Sequence, residues 1–279
     1  MSLAAEALYG RALLVTVDDV DLSGFDVAFS VTRTLKRDPN TCELRVYNLG
    51  QALRRELASK AKAGLFVTLA AGYGTRLSQL YRGDLRDVFS VREDTGWVTT
   101  ISSGDGEQAR RNAQIRRAFP RGTKVDVMLR ALTESLGVGM GNSTRALMGA
   151  KKLTQGSSEL VSGAVTHGSA AVELTELLRS VGMEWSIQDG ELQLLDKGHA
   201  LDTEVIVLTP ETGLVGSPEP GHKGTMKAVV RIIPGLQPGA QVMIESSEVR
   251  GQFRVERIDF AGDTSQEDWV ARIEGKEIK

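Results

Sequence analysis

Apolar and polar positions alternate with a period of two through most of the first hundred residues. Cys42–Asn48 alternates strictly, and Leu65–Tyr73 is a β-rich run ending on glycine. Val88–Val91 and Trp97–Ile101 read as two more strands, split by the turn-prone Glu93-Asp94-Thr95-Gly96. Period-two alternation is the mark of a strand with one buried face. Gln51–Lys62 is a short helical candidate, with Leu53 and Leu57 one turn apart. This third predicts an antiparallel sheet or small barrel with one helix laid across it.

The period then changes. Val125, Met128, Leu129, Leu132 and Leu136 follow helical spacing within Thr123–Gly137, with Thr123 as the expected N-cap and Gly137 as the stop. Ser169–Gly182 predicts a second helix, with Leu174, Leu177, Leu178 and Val181 on one face. It feeds the clearest local signal in the chain. Met183–Gln188 and Glu191–Leu195 flank Asp189-Gly190, the signature of a type I′ hairpin. A two-residue turn sets Ile187 against Leu192 and Trp185 against Leu194, leaving Gln188 and Glu191 on the opposite face. Val138–Gly168 is rich in glycine and serine without periodicity, and reads as an exposed excursion.

The last third returns to strands at Lys227–Ile233, Ala240–Glu245, Phe253–Phe260 and Trp269–Glu274. The phase slips near Arg257, between Phe253/Val255 and Ile258/Phe260, which predicts a bulge or sharp bend, as in a small closed barrel. The expected fold is therefore mainly β, of α+β class. Two small antiparallel β-barrel modules flank a small α/β module, with boundaries at 1–106, 107–200 and 201–279.

The chain has 279 residues, 25% of them charged, with a net charge of -2. That near-neutral balance supplies no single-sign field to drive nucleic-acid or membrane binding. Glycine, at 30 residues, fits a turn-rich fold. Cys42 is the only cysteine, which excludes an intrachain disulfide and a cysteine-rich zinc site and leaves the compartment open. The longest apolar runs fall well short of the ~20 residues of a spanning helix. Met1–Gly10 lacks the basic start and apolar core of a secretory signal.

Motifs for chemistry are sparse. His167, His199 and His222 have no partner at metal-ligand spacing, and they read as exposed loop histidines. No nucleophile elbow, phosphate-binding loop or dinucleotide fingerprint occurs. Gly72-Tyr73-Gly74 and the glycines of Gly137–Gly141 read as turns, and Ser102–Glu107 lacks the ligand rhythm of a calcium loop. Acidic pairs are common, but only 14 aromatics are available as sugar platforms. No catalytic constellation, metal or cofactor is expected. One charge cluster stands out: Arg110, Arg111, Arg116, Arg117, Arg121 and Lys124, against Glu107 and Asp126. It is either a solvated face or a contact for a protein; Phe119 alone is interleaved for base stacking.

In order along the chain, these segments resemble the baseplate hub proteins of bacteriophage tails and related contractile injection machines. Glu43–Leu49, a short helix, Gly64–Tyr73, then Leu80-Tyr81-Arg82-Gly83-Asp84-Leu85 look like the first, tube-like module of such hubs, and Trp97–Gly106 fits its end. Val172–Gly182 leading into Met183–Leu195 resembles the family's small α/β piece. Thr209–Pro218, Ile233-Pro234-Gly235-Leu236-Gln237-Pro238-Gly239, Arg254–Phe260, Gly262-Asp263-Thr264 and Trp269 look like its last β-domain.

The resemblance implies a homotrimeric ring that adapts the sixfold tail tube to the threefold central spike. Each copy would contribute two tube-like modules. Tail tube protein, spike protein and other baseplate proteins are the implied partners. DNA passes only as cargo, and no membrane is involved. The implied location is the virion tail baseplate, assembled in the host cytoplasm, with no enzymatic activity. Two alternatives predict different behaviour: a tail-associated enzyme or glycan-binding module acting on the cell envelope, and a hexameric tube or connector protein. The basic stretch Arg110–Lys124 and the loop Val138–Gly168 are the candidates for intersubunit or spike contacts.

Overall fold

The computed structural model describes residues 10–36, 38–61, 65–94, 96–106, 113–142, 146, 163–266 and 268–278. The first strands are β1 (Arg11–Val17), β2 (Val20–Asp21), β3 (Val27–Thr34) and β4 (Asn40–Tyr47). Helix α1 (Gln51–Lys60) and strands β5 (Phe66–Tyr73), β6 (Arg76–Glu93) and β7 (Gly96–Asp105) follow. The middle holds β8 (Gln114–Phe119), α2 (Val125–Leu136), β9 (Ala164–Ser169), α3 (Ala170–Ser180), β10 (Met183–Gln188) and β11 (Glu191–Asp196). The last stretch is β12 (Ile206–Leu208), β13 (Leu214–Pro220), β14 (Thr225–Arg231), β15 (Gln241–Glu245), β16 (Arg250–Asp263) and β17 (Trp269–Glu277). The mainly β, α+β expectation holds.

Two compact units form. One gathers the described residues of Met1–Leu35, Asn40–Asp105 and Ala200–Lys279; the other holds those of Lys36–Pro39 and Gly106–His199. In the first unit the strands make one sheet in the order β13-β14-β17-β16-β3-β4-β7-β6-β5-β1-β2, with β15 on β16 and β12 parallel to β15. The two closed barrels expected from sequence are therefore not formed. The reason lies in β16. Its first five residues pair with β15, and Arg257–Asp263 pair along the same edge with β3. That edge, which a closed C-terminal barrel would need, is spent on the N-terminal strands. At the far end, Pro218 and Pro220 strip β13 of two donors, which suits an edge strand.

The β3–β16 junction depends on one glycine. Gly262 sits opposite Phe29 on one side and Trp269 on the other. With no side chain between them, the two rings meet edge to face, centroids 5.5 Å apart at 76°. A Cβ on Gly262 would fall 2.3 Å from the Phe29 ring. The turn that follows is pinned to β3 by Thr264, whose Oγ1 accepts the Val27 N–H at 2.9 Å and whose N–H bonds the Val27 carbonyl at 3.0 Å. Asp263 closes the turn by accepting the N–H groups of Ser265 and Gln266. One buried apolar cluster runs through the sheet, from Val15 and Leu69 on one side to Ile258 and Ile273 on the other. The phase slip near Arg257 is a bulge between Val255 and Arg257, as expected. Helix α1 buries Leu57 and lays the Arg54 guanidinium 3.7 Å over the Trp97 ring; its Lys60 pairs with Asp19.

In the second unit the hairpin has the expected register, Ile187 opposite Leu192 and Trp185 opposite Leu194. Asp189 (φ 58°) and Gly190 (φ 81°) give the type I′ turn. Its other face is buried too, contrary to a one-sided hairpin. Gln188 donates to the Ser186 hydroxyl, and Ser186 donates to Gln193, both at 3.2 Å, so the polar strip satisfies itself. Gly137 (φ 69°) ends α2 as expected, but the N-cap is Lys124, because the Thr123 hydroxyl donates to the Pro120 carbonyl instead. Segment 138–142 is not a free excursion. Gly139 exchanges backbone bonds with Gly190 and Leu192, and the Asn142 side chain bonds both the N–H and the C=O of Leu194. The glycine cluster thus lays a chain along β11; a Cβ on Gly141 would fall 2.3 Å from the Leu192 carbonyl oxygen. Residues 143–145 and 147–162 of the expected loop lie outside the described residues.

The aromatic junction yields a direct test. Gly262→Ala is expected to cost about 1–3 kcal/mol by overpacking, read as a lower urea midpoint with an unchanged slope.

Candidate assembly surfaces

Burial, aided by the Glu43 charge, pushes the Cys42 thiol far up, so it stays protonated beneath the sheet. His167, His199 and His222 are exposed, although His167 lies on β9 rather than in a loop. Among the described residues no group of His, Cys, Asp and Glu clusters for a metal.

The short motifs noted in the sequence turn out to be packing devices. Asn48 takes φ 56° at the end of β4, and its N–H bonds the Trp97 carbonyl at 2.7 Å while its Oδ1 accepts the Trp97 N–H at 3.3 Å. Gly72 passes so close to β6 that a Cβ would lie 2.0 Å from the Arg76 carbonyl oxygen. The Gly83-Asp84 and Gly104-Asp105 pairs face each other across β6 and β7. Gly104 leaves room for the Arg86 guanidinium, and Gly83 for the Tyr81 hydroxyl, which bonds Ser103 at 3.0 Å. The Ser103 hydroxyl in turn donates to the Asp84 carbonyl at 2.8 Å. Asp105 is buried and accepts from the Asn40 amide at 3.3 Å. Burial raises the Asp84 carboxyl, and the nearby Arg86 charge partly offsets it.

Two outer faces of the large sheet differ in character. Across β1, β5 and the start of β6, the outward positions Ala12, Leu14, Thr16, Phe66, Thr68, Ala70, Leu77 and Gln79 are uncharged, with Leu14, Phe66 and Leu77 exposed; Arg82, opposite Thr68, borders them with its guanidinium 4.6 Å over the Phe66 ring. Across β16, β17 and β14 the outward positions carry ion pairs: Arg257 with Asp259 at 2.8 Å and Lys227 with Glu274 at 3.2 Å. Asp259 also accepts the Thr32 hydroxyl at 2.6 Å, tying β16 to β3.

No protein family matches the chain by sequence, and no curated protein does either. Solved structures share its fold. The 43 kDa tail protein of prophage MuSo2 from Shewanella oneidensis superposes with a TM-score of 0.65 at 10% identity, over 96% of this chain and 98% of that one. The fold is that of phage tail proteins. The tail protein from Neisseria meningitidis MC58 gives a TM-score of 0.63 at 11% identity, over 96% and 97%. An E. coli component of the type VI secretion system gives 0.58 at 10% identity, over 97% of this chain and 77% of that one. It is itself described as structurally similar to the T4 bacteriophage tail proteins gp27 and gp5. The likeness is one of fold, extending along nearly the whole chain.

The described members of the basic set do not all share a face. Arg110 and Arg111 lie outside the described residues. Arg116 and Arg117 are neighbours on β8 and so point to opposite sides. Arg117 lies on the side of buried Ile115 and Phe119, 5.5 Å over the Phe119 ring. Arg121 sits in the exposed turn after β8, and Lys124 precedes α2. Strands β8 and β9 themselves were missed by sequence reading. Ile115, Arg117 and Phe119 do alternate, but a cation stands at the central inward position and hides the pattern.

The Asp259 contacts carry a pH signature. Burial pushes its carboxyl up, but the Arg257 guanidinium and the Thr32 hydroxyl outweigh it, and the net value lies below the ordinary 3.8. A carboxyl lowered on folding contributes stability above its unfolded pKa, and that contribution is lost as pH falls through the folded value. Asp259→Asn is expected to cost about 1 kcal/mol at pH 7, with the difference from the parent vanishing between about pH 5 and pH 2 in urea titrations.

Proposed function

We propose that this chain is a structural component of a phage tail or a phage-like injection machine. More specifically, it is a baseplate hub whose three copies form a ring between a sixfold tube and a threefold spike. The carrying observation is the fold shared with tail proteins over nearly the full length of both chains. Strands β1–β7 and β12–β17 form two groups on one sheet, which suits a subunit presenting two similar faces, so that three copies present six. A ring of identical copies closes when the rotation at a head-to-tail interface fits.

The apolar patch of Leu14, Phe66 and Leu77, bordered by Arg82, is the surface that suits copy-to-copy contact, since little polar hydration is lost at its centre. The face with the Arg257–Asp259 and Lys227–Glu274 pairs suits water. The role is mechanical and uses no catalytic step. The virion tail is its place, tube and spike proteins are its neighbours, and DNA passes as cargo. The basic stretch around β8 serves a neighbouring tail protein rather than the ring seam.

Sedimentation of the purified chain tests the reading. A species of three times the 30.1 kDa chain mass is expected, and Leu14→Glu is expected to shift it to monomer while the far-UV spectrum is unchanged. A stable hexamer would point to a tube or connector protein. A monomer that clears peptidoglycan would overturn the structural role.

A further inference from the structure

Among the described residues, no strand pairs with the outer edge of β8. The two-stranded β8–β9 ribbon pairs Arg116 with His167, Arg117 with Thr166 and Ala118 with Val165. The His167 N–H points away from β8, to Glu173 Oε1 at 3.3 Å. In an antiparallel ladder, pairs that exchange backbone bonds alternate with pairs that do not. The Arg116–His167 pair is therefore of the second kind, and so are Gln114–Ser169 and Ala118–Val165. It follows that the backbone N–H and C=O groups of Gln114, Arg116 and Ala118 point outward. Among the described residues none pairs with them, and all three residues are exposed. The two edges are unequal: Glu173 of α3 caps the β9 edge at His167, and among the described residues nothing comparable caps β8.

We propose that the outer edge of β8 binds an extended, acidic segment of a partner protein as a third strand of this ribbon. Outward backbone donors and acceptors at every second residue fit another strand, whatever its sequence. Side chains decide which strand. Arg116 projects on the outer face and Arg117 on the inner one, with Arg121 and Lys124 following. Carboxylates at consecutive positions of the added strand would meet both arginines. Val165, 79% exposed beside Ala118, adds apolar surface on the outer face. A second copy of β8 is a poor occupant. Residues 114–119 contain no acid, so antiparallel pairing of two copies would crowd like charges. The arginines thus repel self-pairing while selecting an acidic partner.

The test uses the full chain, a fluorescent eight-residue threonine–glutamate peptide and its threonine–lysine counterpart. Anisotropy is expected to show the acidic peptide binding at least tenfold more tightly. Ala118→Pro removes an edge donor that no described residue uses, and is expected to weaken binding at least tenfold with an unchanged far-UV spectrum. Arg116→Glu should reverse the peptide preference, and exchange of the Arg116 and Ala118 amides should slow in the complex. Equal binding of both peptides, or full binding by Ala118→Pro, would overturn the proposal. So would loss of the oligomer in Ala118→Pro, which would make a second copy the occupant. Peptide binding is read whatever the oligomeric state, so its failure is distinct from failure of the ring reading.

Discussion

Everything in the larger unit depends on Gly262 being able to stand between Phe29 and Trp269. These three residues lie on three adjacent strands, β3, β16 and β17, where, among the described residues, the N-terminal strands meet the C-terminal ones in one ladder. A ladder alone would join them weakly, since each backbone bond contributes a net ~1 kcal/mol. The two rings, both nearly fully buried, add apolar area and a preferred edge-to-face geometry. The glycine offers nothing itself; it removes the obstacle. Thr264 and Asp263 then fix the turn so that the register cannot slip.

The same logic explains the motifs that carried the family resemblance. Asn48, Gly72, Gly83, Gly104 and Gly262 are places where backbone approaches backbone or a large side chain. Substitutions at such positions are strained or clash, because a side chain there would meet backbone or a large neighbour. A fold can therefore be legible from turns and close approaches rather than from a catalytic motif.

Local structure was legible in proportion to how local its causes are. The Asp189-Gly190 hairpin was readable to the residue, because a two-residue turn fixes register without outside help. The Gly137 stop and the Arg257 bulge were readable for the same reason. The pairing of β3 with β16, more than two hundred residues apart, was not, because alternation reveals a strand but not its neighbour. That is why two closed barrels were expected where one open sheet exists. Strands β8 and β9 escaped because Arg117 occupies an inward position, and β13 because its prolines and glycine read as turn. The open edge of β8 was invisible to sequence for a further reason: it depends on where the His167 N–H is spent.

The central claim is that residues on either side of the middle unit share one sheet and one core. Native-state hydrogen exchange resolved by peptide tests it most directly. The account predicts that amides of β3, β4, β16 and β17 lose protection together, with one free energy of opening. Opening of β14–β17 at a clearly lower free energy than β3–β7 would contradict it, since the two groups would then be separate domains that merely touch.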